Sequence, residues 1–150
     1  MPKVLSPDQV EGFRKDGYVA AVRATSKERA AEIRLHEEEF ERRNGSPISG
    51  RQRFRPHLLF PWLSELIREE RIVSAIEDLY GENLLCWHSD FFIKEPADPG
   101  FVPWHQDSTY WGLSSPDVVT AWVAISESNT ENGALEVIPR HASYGPGTSS

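Results

Sequence analysis

His105 and Asp107 stand one residue apart in the run Val102-Pro103-Trp104-His105-Gln106-Asp107-Ser108-Thr109-Tyr110-Trp111. In extended backbone, side chains two positions apart share a face, so an imidazole nitrogen and a carboxylate oxygen lie side by side. Such a pair supplies two of the three donors of a facial site of two histidines and one carboxylate. Mixed N/O donors on one face suit Fe(II), because the opposite positions stay open for co-substrate and dioxygen. Trp104, Tyr110 and Trp111 are expected to wall the metal off from water. His and Asp at this spacing also pair in ordinary hydrogen bonds, so the triplet by itself leaves that reading open. A second triplet, His88-Ser89-Asp90, has the same spacing. It sits inside an apolar stretch between Trp87 and Phe91, whereas the His105 triplet follows a Pro/Gly loop and opens onto an aromatic segment.

The remaining candidates read as structural. His36 falls on the edge of a charged helix face, and His57, between Pro56 and Leu58, reads as a packing histidine. Arg51, Arg53 and Arg55 alternate in what reads as a solvated strand edge or loop. A net charge of −7 argues against nucleic acid or an anionic membrane as a partner, since both repel an acidic surface. The single cysteine, Cys86, has no internal partner, and no long apolar run or signal-peptide core is visible. These features lead us to expect a soluble, cytoplasmic protein.

The elements that must position these residues divide the chain in two. A length of 150 residues suits a single domain. Residues 1–81 read as helical support. Ser6 with Gln9 makes a capping box, Pro7 suits the first helical position, and Gly17 closes the helix. Tyr18 to Val22 reads as a short strand. A second helix is expected from Lys27 to Arg43, with Ala30, Ile33 and Phe40 as a narrow apolar stripe. After a Gly/Pro/Arg-rich loop from Asn44 to Pro61, a third helical region begins near Ser64 and runs to Tyr80, with a break near Arg71. Residues 82–140 change character. Leu84–Ile93, Asp117–Ser126 and Ala134–Pro139 read as strands, and residues 141–150 as a loose tail. An α+β or mostly-β jelly-roll architecture is the expectation.

Several of these stretches, in the same order, resemble the phytanoyl-CoA dioxygenase family of Fe(II)- and 2-oxoglutarate-dependent oxygenases. They are the helix-to-strand entry Phe13-Arg14-Lys15-Asp16-Gly17-Tyr18-Val19, the turn Ile93-Lys94-Glu95-Pro96, the run Val102–Trp111, the segment Thr120-Ala121-Trp122-Val123-Ala124-Ile125, and Glu131–Pro139 followed by His141. The resemblance implies a double-stranded β-helix, cupin-like, preceded by helices. It implies that His105 and Asp107 are the first two iron ligands, and it sets His88 and Asp90 aside because their distance to Asn132-Gly133 is too long. Trp122 falls where the family places an aromatic residue beside 2-oxoglutarate. Gln106, Tyr110 and Trp111 would lie near the pocket mouth. A carboxylate at position 107 implies a hydroxylase, with a small organic substrate and dioxygen as the small-molecule partners.

The family's third ligand, a histidine, and its arginine for the distal carboxylate of 2-oxoglutarate lie downstream of the segment that Pro139 and His141 resemble. The sequence stops at Ser150 before either, and neither Arg140 nor His141 matches them. The expectation is a β-helix incomplete at its C-terminal end, weak or absent turnover, and self-association through unpaired strands. The rival expectation is a non-catalytic β-helix module for binding or oligomerising, with His105 and Asp107 as a structural pair.

Overall fold

The structure, a computed structural model, describes residues 3–95, 97, 99–115 and 117–139. Arg140, His141 and the expected loose tail lie outside the described residues, as do Pro96, Asp98 and Pro116.

Local chemistry sets the helix boundaries. The first helix, α1, spans Pro7–Asp16. The Ser6 hydroxyl accepts from the Gln9 amide at 3.1 Å, and the Gln9 side chain accepts from the Ser6 amide at 2.8 Å. Both donors would otherwise be orphans of the first turn. Gly17, at φ 83°, takes the left-handed turn that ends the helix and donates to the Phe13 carbonyl. The second helix, α2, spans Lys27–Asn44, capped by Ser26 and closed by Gly45 at φ 65°. The third helical region is two helices, α3 at Pro61–Leu66 and α4 at Glu70–Tyr80. They part a few residues before the break expected near Arg71.

The helices pack in pairs. α1 lies against α4, where Phe13 meets the Tyr80 ring edge-on at 6.2 Å. Ahead of α1, the amides of Lys3, Val4 and Leu5 donate to the Asp78 carboxylate at 2.6, 2.8 and 2.9 Å. α2 lies against α3, joined by an Arg29–Glu65 ion pair at 2.7 Å and by His36 stacked on Trp62 at 5.7 Å. His36 is therefore a packing residue. Ile33, Ile48, Phe60, Leu63, Leu66, Ile72 and Phe91 form the buried core. Around Phe60, the rings of Phe40, Trp62 and Phe91 stand 4.8 to 6.5 Å away, edge-on or tilted, the arrangements that aromatic quadrupoles favour. No described helix is long and apolar enough to cross a membrane.

The second half corrects the expected fold. Among the described residues there is no strand, sheet or barrel, so the mostly-β jelly roll and its double-stranded β-helix are not what this chain forms. The short strand expected at Tyr18–Val22 is also absent. One isolated antiparallel bridge, Phe54 with Asp90, is the sole β pairing there, closed by Arg55 N–H to Ser89 O at 2.8 Å and Phe91 N–H to Arg53 O at 3.3 Å. Alternating apolar residues prepare a segment for burial on one face, but a ladder needs a second segment in register beside it. Here Phe91, Ile93, Val123 and Ile125 bury that face directly on the helical core. Of the two readings of the arginine stretch, strand edge or loop, the loop holds: it contains a 3-10 turn at Gly50–Arg53, with Arg55 over the Trp87 ring at 5.5 Å.

Candidate metal centre

From Trp122 to Ser126 the segment carrying Val123 and Ile125 alternates between exposed and partly buried residues. Those two pack on the core, while Thr120, Trp122 and Ala124 are exposed. On that outer side Thr120 meets Asp107, its hydroxyl donating to Asp107 Oδ2 across 13 residues of sequence. Asp107 opens a short 3-10 turn, Asp107–Thr109, whose Thr109 and Tyr110 amides donate to Gln106 O and Asp107 O.

His105 is held from the other side. Its Nδ1 lies 2.8 Å from the Pro103 carbonyl oxygen. A carbonyl only accepts, so Nδ1 carries the proton and, in the neutral ring, Nε2 presents a bare lone pair. That lone pair stands 3.2 Å from Asp107 Oδ1. Tyr110 packs edge-on against the imidazole, with ring centroids 5.5 Å apart. The spacing of His105 and Asp107 thus does what the sequence indicates: it brings both side chains to one point.

Two lone pairs facing each other across 3.2 Å call for a cation between or beside them. A proton would make the residues an ion pair; a metal ion would make them ligands. The donor set fits a metal. Cis donors around an octahedral ion with bonds of about 2.1 Å stand about 3 Å apart. Hydrogen bonding of the remote imidazole nitrogen and of the second carboxylate oxygen is the usual support for ligating residues. Among the described residues no group of three His, Cys, Asp or Glu side chains converges, so these two are the donors on view.

The surroundings differ from expectation. Trp104 and Tyr110 are 64% and 71% exposed, so they do not wall the pair off from water. Trp122 shares the outer side with Thr120, yet no hydrogen bond or ring contact joins it to His105 or Asp107 among the described residues. The Ile93-Lys94-Glu95 and Asn132-Gly133 stretches do meet: the Lys94 side chain passes so close to Gly133 that a Cβ there would lie 2.8 Å from Lys94 Cδ.

The other triplet makes no comparable pair. His88 tilts against Phe54 at 6.0 Å, Ser89 bonds His57 Nδ1 at 2.6 Å, and Asp90 is taken up by the bridge. His88 and Asp90 form no ion pair among the described residues. Burial pushes the Asp90 carboxyl above its ordinary value, partly offset by His88 and Arg53. His57 is a packing histidine as expected, half-buried and tied to Ser89. Thr120 and the Pro103 carbonyl were not singled out by the sequence.

The sequence profile of the family described as Phytanoyl-CoA dioxygenase (PhyH) matches residues 1–148. A probable alpha-ketoglutarate-dependent hypophosphite dioxygenase of Stutzerimonas stutzeri is 31% identical over 102 residues, covering 67% of this chain and 35% of that protein. Ectoine dioxygenase of Bordetella bronchiseptica is 27% identical over 157 residues, covering 90% of this chain and 49% of that protein. L-proline trans-4-hydroxylase of Streptomyces griseoviridis is 31% identical over 80 residues, covering 51% and 30%. The chain thus spans half or less of the length of each of these relatives. No solved structure matches it significantly. With a match that runs from residue 1 to residue 148, the chain belongs to the phytanoyl-CoA dioxygenase family, whose members are Fe(II)- and 2-oxoglutarate-dependent oxygenases.

Proposed function

We propose that this protein is an Fe(II)- and 2-oxoglutarate-dependent dioxygenase that hydroxylates an unactivated C–H bond of a small organic substrate. The observation that carries the reading is His105 Nε2 facing Asp107 Oδ1 at 3.2 Å, with each residue's other polar atom already engaged. His105 and Asp107 are the two protein donors to the iron, and Trp122 stands beside 2-oxoglutarate. Family membership supports this, and so do the names ectoine dioxygenase and L-proline trans-4-hydroxylase, which describe action on small polar organic molecules; hypophosphite, named in a third relative, is small and polar but inorganic.

Iron held by His105 and Asp107 would supply the oxidising chemistry, with 2-oxoglutarate and dioxygen as its co-substrates. The chain's own residues do the rest. The Pro103 carbonyl fixes which imidazole nitrogen is offered. Asp107 would contribute a carboxylate oxygen and His105 an imidazole nitrogen, a mixed donor set that suits Fe(II). With two donors on view and both aromatic neighbours exposed, turnover by these 150 residues is expected to be weak.

Anaerobic addition of Fe(II) and then 2-oxoglutarate tests the reading. A weak visible charge-transfer absorption develops in the parent protein and is lost in Asp107→Ala. No absorption, or an equal response from Asp107→Ala, contradicts it.

A second reading has its own observation. Leu85, Phe92, Phe101 and Trp104 are more than 60% exposed, and they lie in the second half, where no sheet covers them among the described residues. On that reading the protein is a non-catalytic, self-associating module with His105 and Asp107 as an ion pair. Sedimentation equilibrium separates the two: a mass that climbs with concentration and ignores Fe(II) favours the module, and a constant monomer mass removes it.

A further inference from the structure

Asp107 has two oxygens, and an unrestrained carboxylate can turn to offer a metal either one or both. In this structure the choice is already made. Oδ2 accepts the Thr120 hydroxyl proton, and Oδ1 is the oxygen turned toward His105 Nε2. Thr120 in turn is fixed by its own segment, because Val123 and Ile125, three and five residues on, pack on the helical core beside Phe91. The hydroxyl therefore ties the carboxylate to a segment that packs, a few residues on, against the helical core.

We propose that Thr120 is a positioning residue that holds Asp107 to ligation through the single oxygen Oδ1. The inference rests on the metal-binding reading of His105 and Asp107. Thr120 touches neither metal nor substrate; it acts through Asp107. Engaging Oδ2 stops the carboxylate from rotating and keeps a second oxygen from taking a coordination position that the co-substrate needs. It also sets a division of labour between backbone and side chain. The Pro103 carbonyl orients the imidazole, and no side-chain substitution removes it, whereas the orientation of the carboxylate depends on one hydroxyl. Partners of this kind typically change metal affinity by about 10- to 100-fold when removed.

The test is a titration of the metal-free protein with Mn(II), following the free ion by electron paramagnetic resonance, so that no turnover is needed. Thr120→Val keeps the shape and loses the hydroxyl; Thr120→Ser keeps the hydroxyl. The expected result is a loss of about tenfold or more in Mn(II) affinity for Thr120→Val, with Thr120→Ser close to the parent. Circular dichroism monitors folding, and Thr120→Ala replaces Thr120→Val if the latter does not fold. Parent affinity in Thr120→Val, alongside weak binding by Asp107→Ala, overturns the role of Thr120 and leaves the metal site standing. A Thr120→Ser variant as weak as Thr120→Val also overturns it, since the hydroxyl would then not be the cause. Absence of saturable Mn(II) binding by the parent, or parent affinity in Asp107→Ala, removes the metal site and this role together.

Discussion

The His105 proton is committed to the Pro103 carbonyl, and this fixes what the ring offers. Imidazole tautomers differ little in energy in water, so one 2.8 Å hydrogen bond decides which nitrogen is bare. Nitrogen-15 shifts of the neutral His105 ring are expected to show a protonated Nδ1 and an unprotonated Nε2; the reverse pattern contradicts the assigned orientation. The pairing with Asp107 was legible because a separation of two residues puts both side chains on one face of extended backbone. Thr120 was not legible, since its contact depends on a chain path that brings together residues 13 apart. No local periodicity encodes that path.

The helices show how much a short sequence signal can specify. Ser6, Pro7 and Gln9 announce the start of α1, and Gly17 and Gly45 the ends of α1 and α2, because each satisfies an orphan backbone group or accepts a left-handed conformation. Ser6→Ala is expected to cost about 1 kcal/mol, read as a lower denaturant midpoint. α2 poses a different case. It is charged on nearly every side, and Ile33 is its one buried residue, completely enclosed. Ile33 is its deepest anchor, beside Phe40 packed on Phe60, and Ile33→Ala is expected to cost about 2–5 kcal/mol by chemical denaturation. A loss under 1 kcal/mol would show that α2 is held by its surface ion pairs instead.

Asp78 docks the segment ahead of α1. Burial pulls its carboxyl upward, but the amides of Leu5, Val4 and Lys3, with the Lys3 charge, more than reverse this and hold it below its ordinary value of 3.8. A depressed carboxylate stabilises the fold fully above that ordinary value and loses its contribution as pH falls through the folded one. Asp78→Asn is therefore expected to flatten the loss of stability between about pH 4 and pH 2; an unchanged acid profile contradicts the docking role.

Across the whole molecule, a helical core carries the second half as extended segments laid upon it. That arrangement explains why the jelly roll was not foreseeable as absent. Alternation in Asp117–Ser126 puts Val123 and Ile125 on one face, and both pack on the core, but burial on helices and pairing in a sheet produce the same pattern. Only a neighbour in register distinguishes them, and sequence alternation carries no register.

One tie across the two halves is sensitive to pH. His57 bonds Ser89, and burial, then the positive charges of Arg68, His88 and Arg55, lower its imidazole below the ordinary 6.5. Its contribution to stability is complete above that value and drains away as pH falls through the folded one. The melting temperature is expected to drop between about pH 7 and pH 5, and less steeply in His57→Gln. Equal slopes would place the sensitivity elsewhere.

Substoichiometric Mn(II) added to the isotopically labelled protein asks most directly whether His105 and Asp107 share an ion. The ring signals of His105 are expected to broaden first and to stay sharp in Asp107→Ala, with His36, His57 and His88 unaffected in both. Broadening led by His88, or broadening of His105 that survives Asp107→Ala, would contradict a common metal at this pair.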